Sequence, residues 1–243
     1  PGFIGQAIAG WWERMCDDLY DPRHRFTFRD FLTGHCSLSL ALFREVGGFD
    51  EALRCHEDFE FGYRAIQAGV SFGFVQGARA VHHDATRLPG ILARKLEEGR
   101  ADIQLTGRHP ALLRALPLGR PLAPGELARR VFDAALAHGG MGDAGVRALP
   151  GLMRLFEAGG MRDKWRTTLE RAMDFAYWRG AVLEAGSGAA VRALRARPDH
   201  ETAAPLVVDL QWGLEEVEAA IDRERPAALR ITVGAHLVGD LPE

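Results

Sequence analysis

Apolar positions recur at two spacings along this chain, and the change from one to the other marks its elements. Residues 57–68, EDFEFGYRAIQA, place Phe59, Tyr63 and Ile66 at helical spacing, with Gly69 as the stop. Leu88 to Gln104 reads as another helix. Between them SFGFVQ (71–76) and ARAVHH (78–83) read as two short extended pieces. Upstream, CSLSLALF (36–43) alternates like a half-buried strand passing into a helix, and GGFDE (47–51) reads as a turn. From Pro110 to about Pro198 the pattern is helical almost throughout. GELARRVFDAALAHGG and MRDKWRTTLERAMDFAYWRGAVLEAG carry apolar residues three and four apart, broken by Gly and Pro. This stretch is expected to pack as antiparallel helices against a neighbouring domain, anchored by Trp165, Phe175, Tyr177 and Trp178. The last stretch returns to strands, APLVVDLQW and ALRITVGAHLVGDL, around the helix GLEEVEAAIDRER. The pattern therefore divides the chain into residues 1–108 (mixed), 109–200 (helical) and 201–243 (strand–helix–strand).

Composition narrows the class without naming it. Of 243 residues, 47% are hydrophobic and 26% charged, ordinary for a soluble globular protein. A net charge of −3 gives no global attraction to nucleic acid or anionic membrane. Cys16, Cys36 and Cys55 are odd in number and none lies in a C-x-x-C pair, which argues against a disulfide framework or structural zinc. No apolar run reaches the length of a transmembrane segment. The chain is accordingly read as cytoplasmic, with a peripheral position at a membrane compatible with the sequence. The opening PGFIGQAIAGWW lacks Met, and with the ending VGDLPE it reads as a segment of a longer polypeptide.

The first candidate chemistry is the helix start CHEDFEF. Acids in a first turn favour the positive end of the helix dipole by roughly 0.3–1 kcal/mol each, so Glu57, Asp58 and Glu60 can be capping acids and nothing more. On a wheel of about 100° per residue, Phe59, Gly62, Tyr63 and Ile66 share the core face. Glu57, Glu60, Arg64 and Gln67 share the opposite face, expected to be exposed, with Glu60 and Arg64 pairing at i, i+4. Asp58 falls at the margin, near the small Gly62 and Ala65. There a short carboxylate can face a cavity and stay ionised, as a base must. The second candidate is AVHHD. Adjacent histidines on a strand point to opposite faces, so at most one of His82 and His83 serves a given site. Strand-end surface histidines are the plain alternative, and a ligand for a divalent metal is the functional one.

Taken together, TGHCSLSLALFREVGGFDE, HEDFEFGYRAIQAGVSFGFV and ARAVHHDATR resemble the acceptor-side half of an inverting family-two glycosyltransferase of the GT-A fold. Order, spacing and residue types agree over roughly residues 26 to 106, a more specific signal than any one motif. The resemblance implies an α/β fold: the C-terminal part of a Rossmann-like GT-A domain, then a mainly helical region and a small α/β element. It implies that Asp58 is the general base, Glu57 its partner acid and His82 a ligand to the divalent cation (Mn or Mg) on the donor diphosphate, with His83 as the alternate. Thr33, Gly34, His35, Gly48, Phe49 and Asp50 would shape the donor and acceptor pocket, His35 standing where Asn is commoner. The implied partners are a nucleotide-sugar donor and a glycan or other hydroxyl acceptor, in polysaccharide biosynthesis, without nucleic acid. Such chemistry needs a base near the incoming hydroxyl and positive charge on the leaving phosphates.

The resemblance also implies a first half that residues 1–25 do not supply, with nucleotide-binding strands and an Asp-x-Asp metal motif. The strands around Cys36 to Leu40 and Phe72 to Val75 are therefore expected to lack neighbours and expose an apolar edge. The final strands are similar to a small β-rich element that links such transferases to further modules. Two other readings compete. One is a non-catalytic transferase remnant beside a helical interaction or scaffold region. The other is a metal-dependent hydrolase using His82, His83, Asp58 and Glu57, for which no H-E-x-x-H pair is present.

Overall fold

The computed structural model describes residues 2–21, 24–81, 83, 86–120, 139–196, 206–224 and 228–242, with side chains left aside for 139–148, 222–224, 228 and 240–242. Contacts divide the chain into two compact units, Pro1–Arg195 and Ala196–Glu243. The described helices of the first are α1 (Phe3–Tyr20), α2 (Leu40–Val46), α3 (Glu57–Gln67), α4 (Leu88–Arg108), α5 (Gly139–Ala158), α6 (Arg162–Ala185) and α7 (Gly188–Arg195). The helix-like stretch starting at Gly125 lies largely outside the described residues. No described helix is long and apolar enough to cross a membrane.

The spine of the first unit is the pair α4 and α6. Their apolar stripes meet in one cluster of Leu88, Leu92, Trp165, Leu169, Ala172 and Ala176, which also takes Met153 of α5 and is flanked by Phe3, Ile4 and Ala7 of α1. Further along, Tyr177, Trp178 and Ala181 pack with Leu118 and with Val191 of α7. Trp165, Tyr177 and Trp178 are buried, so three of the four expected aromatic anchors are core, and Phe175 flanks the same cluster. Gly99 of α4 and Gly180 of α6 let the two backbones touch. A β-carbon on Gly99 would lie 1.9 Å from the Tyr177 carbonyl oxygen, and one on Gly180 would lie 1.9 Å from that of Leu96. Contacts advance together along both helices, from Leu88 and Leu92 against Trp165 to Ala176, to Gln104 against Glu184. The two helices thus run in the same direction; α4 precedes the Pro110–Pro198 stretch for which antiparallel packing is expected. The helical region also shares one compact unit with the residues before it.

α3 is held from two sides. Phe59, Tyr63 and Ile66 pack on Phe28, Leu53, Leu105, Leu112 and Leu116, the face expected from the spacing. Phe61 and Ala65, each 1% exposed, form a second apolar face against Phe31 and Phe43. Glu60 lies between these faces and is buried, which corrects the expectation that it is exposed. Its carboxylate accepts from Arg64 Nε at 2.8 Å and pairs with His109 Nε2 at 2.9 Å. The i, i+4 pair forms as expected, but Arg64 also donates to the carbonyls of Val46 and Gly48, tying α3 to the turn after α2. Gly47 (φ 98°) and Gly48 (φ 70°) take left-handed backbone there, which closes α2 through bonds to Arg44 O and Phe43 O.

The expected strands of the first unit do not form among the described residues. Thr33–His35 is a 3-10 turn, Cys36 to Ser39 is extended chain leading into α2, and residues 70–75 and 78–81 belong to no ladder. Alternation produces a strand only where a second strand takes up its N–H and C=O groups. Val75 and Val81 are accordingly 68% and 81% exposed.

The second unit holds the sheet. β1 (Leu206–Asp209) pairs in parallel with β2 (Ala228–Val233), and β2 pairs antiparallel with β3 (His236–Pro242). Helix α8 (Leu214–Glu224) makes the crossover between β1 and β2, burying Val217 and Ala220, while Val208 of β1 is buried as well. The Asp209 carboxylate accepts from Gly234 N at 3.0 Å and fastens the β2–β3 turn to β1. Over the described residues the fold is thus mixed α/β, mostly helical with a three-stranded sheet.

Candidate functional site

Asp58 is the second residue of α3, where the backbone dipole favours its charge. Its Oδ1 accepts from Phe59 N at 2.9 Å, and the carboxylate also accepts from the backbone N–H of Thr33. Burial, and then the neighbouring Glu57 charge, push the Asp58 carboxyl above its ordinary range, against the bonds from Phe59 and Thr33 and the influence of His56. The Cys36 thiol is raised too, by partial burial and by the Asp58 charge. The turn after Phe31 thus brings Thr33 and Cys36 to the start of α3, with Gly34 and His35 exposed between them. Open space surrounds Gly34, where a β-carbon would meet nothing within 4 Å. Glu57 is half-buried beside Asp58.

The other residues singled out from the sequence are placed differently. Gly48 offers its carbonyl to Arg64, and Phe49 packs its ring on Phe43 and Phe61. Asp50 caps the following turn through Ala52 N at 2.9 Å and pairs with Arg108 Nε at 2.9 Å. These three serve the packing of α2, α3 and α4. His82 lies outside the described residues, and His83 is exposed. Among the described residues no group of three or more His, Cys, Asp or Glu side chains is placed to hold a metal ion.

A network that the sequence reading missed adjoins the same helix start. His56, which caps α3, is the one non-glycine described residue with positive φ (60°). Its Nδ1 lies 2.7 Å from Oδ1 of Asp102 on α4, and the Tyr177 hydroxyl of α6 donates to Oδ2. Asp102 is 0% exposed, and burial keeps the Tyr177 hydroxyl protonated far above its usual range, with the Asp102 charge adding to the effect. The His56 ring stacks on Phe59 at 4.4 Å. One signal was legible: Asp102 is a carboxylate within the stripe Leu88, Leu92, Gly99, Leu105 of α4, where a stripe of that kind buries what it carries.

A stretch of 67 residues, 28% of this chain, is 37% identical to pre-mycofactocin glycosyltransferase of Mycobacterium tuberculosis, in each of two strains. That stretch spans 14% of the length of those relatives. No family model and no solved structure matches. The similarity is to a glycosyltransferase and is partial.

Proposed function

We propose that the chain serves glycosyl transfer from a nucleotide-sugar donor to an acceptor hydroxyl with inversion, that residues 1–108 belong to a GT-A domain, and that Asp58 is the general base. The observation that carries this reading is the Asp58 carboxyl. It is half-buried at a helix start, oriented by Phe59 and Thr33, and raised by burial. A carboxylate whose proton affinity is raised by burial is a stronger proton acceptor than an ordinary one, as a general base must be. The partial similarity to a glycosyltransferase supports the same reaction class.

In this mechanism the acceptor oxygen forms its bond to the anomeric carbon as its proton passes to Asp58. The bond from that carbon to the diphosphate breaks on the opposite side, and the nucleoside diphosphate leaves with the electron pair. Glu57 raises the proton affinity of Asp58 through its adjacent charge, and the Thr33 N–H fixes the carboxylate's direction. A divalent cation, manganese or magnesium, is part of the proposal, with His82 as this chain's contribution to holding it. When bound it supplies positive charge to the leaving diphosphate. The test is a donor-sugar screen on the longest natural polypeptide carrying this chain, read as released nucleoside diphosphate, followed by Asp58→Asn. Release lost in the variant supports the reading. Folded, full-length protein inert to every donor would favour the scaffold reading instead.

A further inference from the structure

We propose that Asp102 and Tyr177 are positioning residues: through His56 they hold the turn that presents Glu57 and Asp58, so that α6, 119 positions after Asp58 at its Tyr177, is part of the support of the candidate site. This rests on the reading of Asp58 as the base, but its structural half can be tested without it.

The inference starts from strain. His56 sits at φ 60°, ψ 21°, a left-handed conformation that is strained for a residue with a β-carbon. Such a conformation persists only where surrounding contacts over-determine it. The usual local compensation is missing, because the His56 side chain makes no capping bond to α3. Its ring turns instead to Asp102 and stacks on Phe59. The backbone follows: the His56 carbonyl accepts from Glu60 N at 3.0 Å, the first bond of α3. Asp58 lies within that first turn, so the angle at His56 sets where its carboxylate points.

The anchor itself is built to be rigid. A carboxylate is acceptor-only, so both partners of Asp102 donate, which places a proton on His56 Nδ1. Asp102 is wholly buried with each oxygen engaged, and removing one donor leaves a buried charge half-satisfied. Tyr177 reaches it because Gly99, one turn before Asp102, lets the Tyr177 carbonyl approach the α4 backbone directly. Glu98 also acts on Tyr177, and with the Asp102 charge it favours the neutral phenol that must donate. The Thr106 hydroxyl beside it donates to the carbonyls of Asp102 and Ile103 within its own helix, and so provides a control in the same core.

The experiment compares wild type, Tyr177→Phe, Asp102→Asn and Thr106→Val, each confirmed folded by circular dichroism. Two readouts use this 243-residue chain: amide hydrogen exchange over residues 57–61, and solvent exchange of the His56 Nδ1 proton by nitrogen-15 NMR. In Tyr177→Phe both should speed up at least tenfold, Asp102→Asn should do the same, and Thr106→Val should leave both within twofold. In the active full-length protein, Tyr177→Phe should lower kcat about tenfold with donor KM within twofold, because geometry at the base acts in the transition state. Unchanged exchange at residues 57–61 in Tyr177→Phe overturns the proposal. Faster exchange with unchanged kcat overturns its catalytic half. Turnover surviving Asp58→Asn would instead sink the base assignment, a failure that the exchange data identify separately.

Discussion

The direct backbone contact between α4 and α6 makes a sharp stability test. Alanine at position 99 would place a methyl carbon 1.9 Å from the Tyr177 carbonyl oxygen and 3.0 Å from Ala181 N. Ordinary contact begins near 3.4 Å, so α4 and α6 must separate locally by about 1.5 Å. Intrinsic helix propensity favours the substitution by about 1 kcal/mol. Against it stand overpacking, about 1–3 kcal/mol, and a stretched Tyr177–Asp102 bond, whose loss leaves a buried acceptor at about 1–3 kcal/mol. The clash falls on rigid backbone with no flexible side chain to yield, and the bond it stretches joins the buried Tyr177 and Asp102 side chains. The net expectation is a loss of about 2–4 kcal/mol. At about 2–4 °C per kcal/mol for a unit of this size, Tm should drop by about 5–15 °C. Gly107→Ala is the internal control: the same helix, with open space around the new methyl, so Tm should hold or rise by a degree or two. Differential scanning calorimetry of the two variants beside wild type decides it. If Gly99→Ala melts at or above wild type, the direct α4–α6 contact is wrong, and with it the route by which Tyr177 reaches Asp102.

Three further outcomes follow from the site and its surroundings. Asp58→Asn should lower turnover at least a hundredfold in the full-length protein while leaving donor affinity, measured by calorimetric titration, within threefold. The same variant should be more stable than wild type at pH 7, because a raised folded pKa contributes stability that is complete below the ordinary 3.8 and lost as pH rises through the folded value. Melts at pH 7 and pH 3 check this, with the difference vanishing at the lower pH. Glu60→Gln should cost about 2–3 kcal/mol in urea unfolding at pH 7, since it leaves the half-buried Arg64 with less than its partner's full charge. Burial would raise the Glu60 carboxyl, but the bonds from Arg64 and His109 outweigh it and hold the group below its ordinary 4.5. Its contribution is therefore complete above 4.5, and the gap to Glu60→Gln should close as pH falls through the lower folded value.

How much of this was legible beforehand follows from the range of each interaction. Helix positions were readable because a stripe such as Phe59, Tyr63, Ile66 or Leu88, Leu92 requires one turn of backbone to line up, and because stops such as Gly69 act locally. The small strand–helix–strand unit was readable for the same reason, since β1, α8 and β2 follow one another in the chain. Asp58 stood out by its place at a helix start between small residues. What one helix wheel left out was the second packing surface. Phe61 and Ala65 belong to a face that exists only because Phe31 and Phe43 fold over it, and Glu60 is buried only because His109 closes the gap between the faces. Extended segments such as residues 70–75 carried the alternation of strands, yet a strand is a property of two segments and no pattern in one can supply the other. His56, Asp102 and Tyr177 lie 46 and 75 positions apart along the chain. Local periodicity contains nothing that joins them; they meet because two glycines allow α4 and α6 to touch, and that contact is decided only when the helices pack.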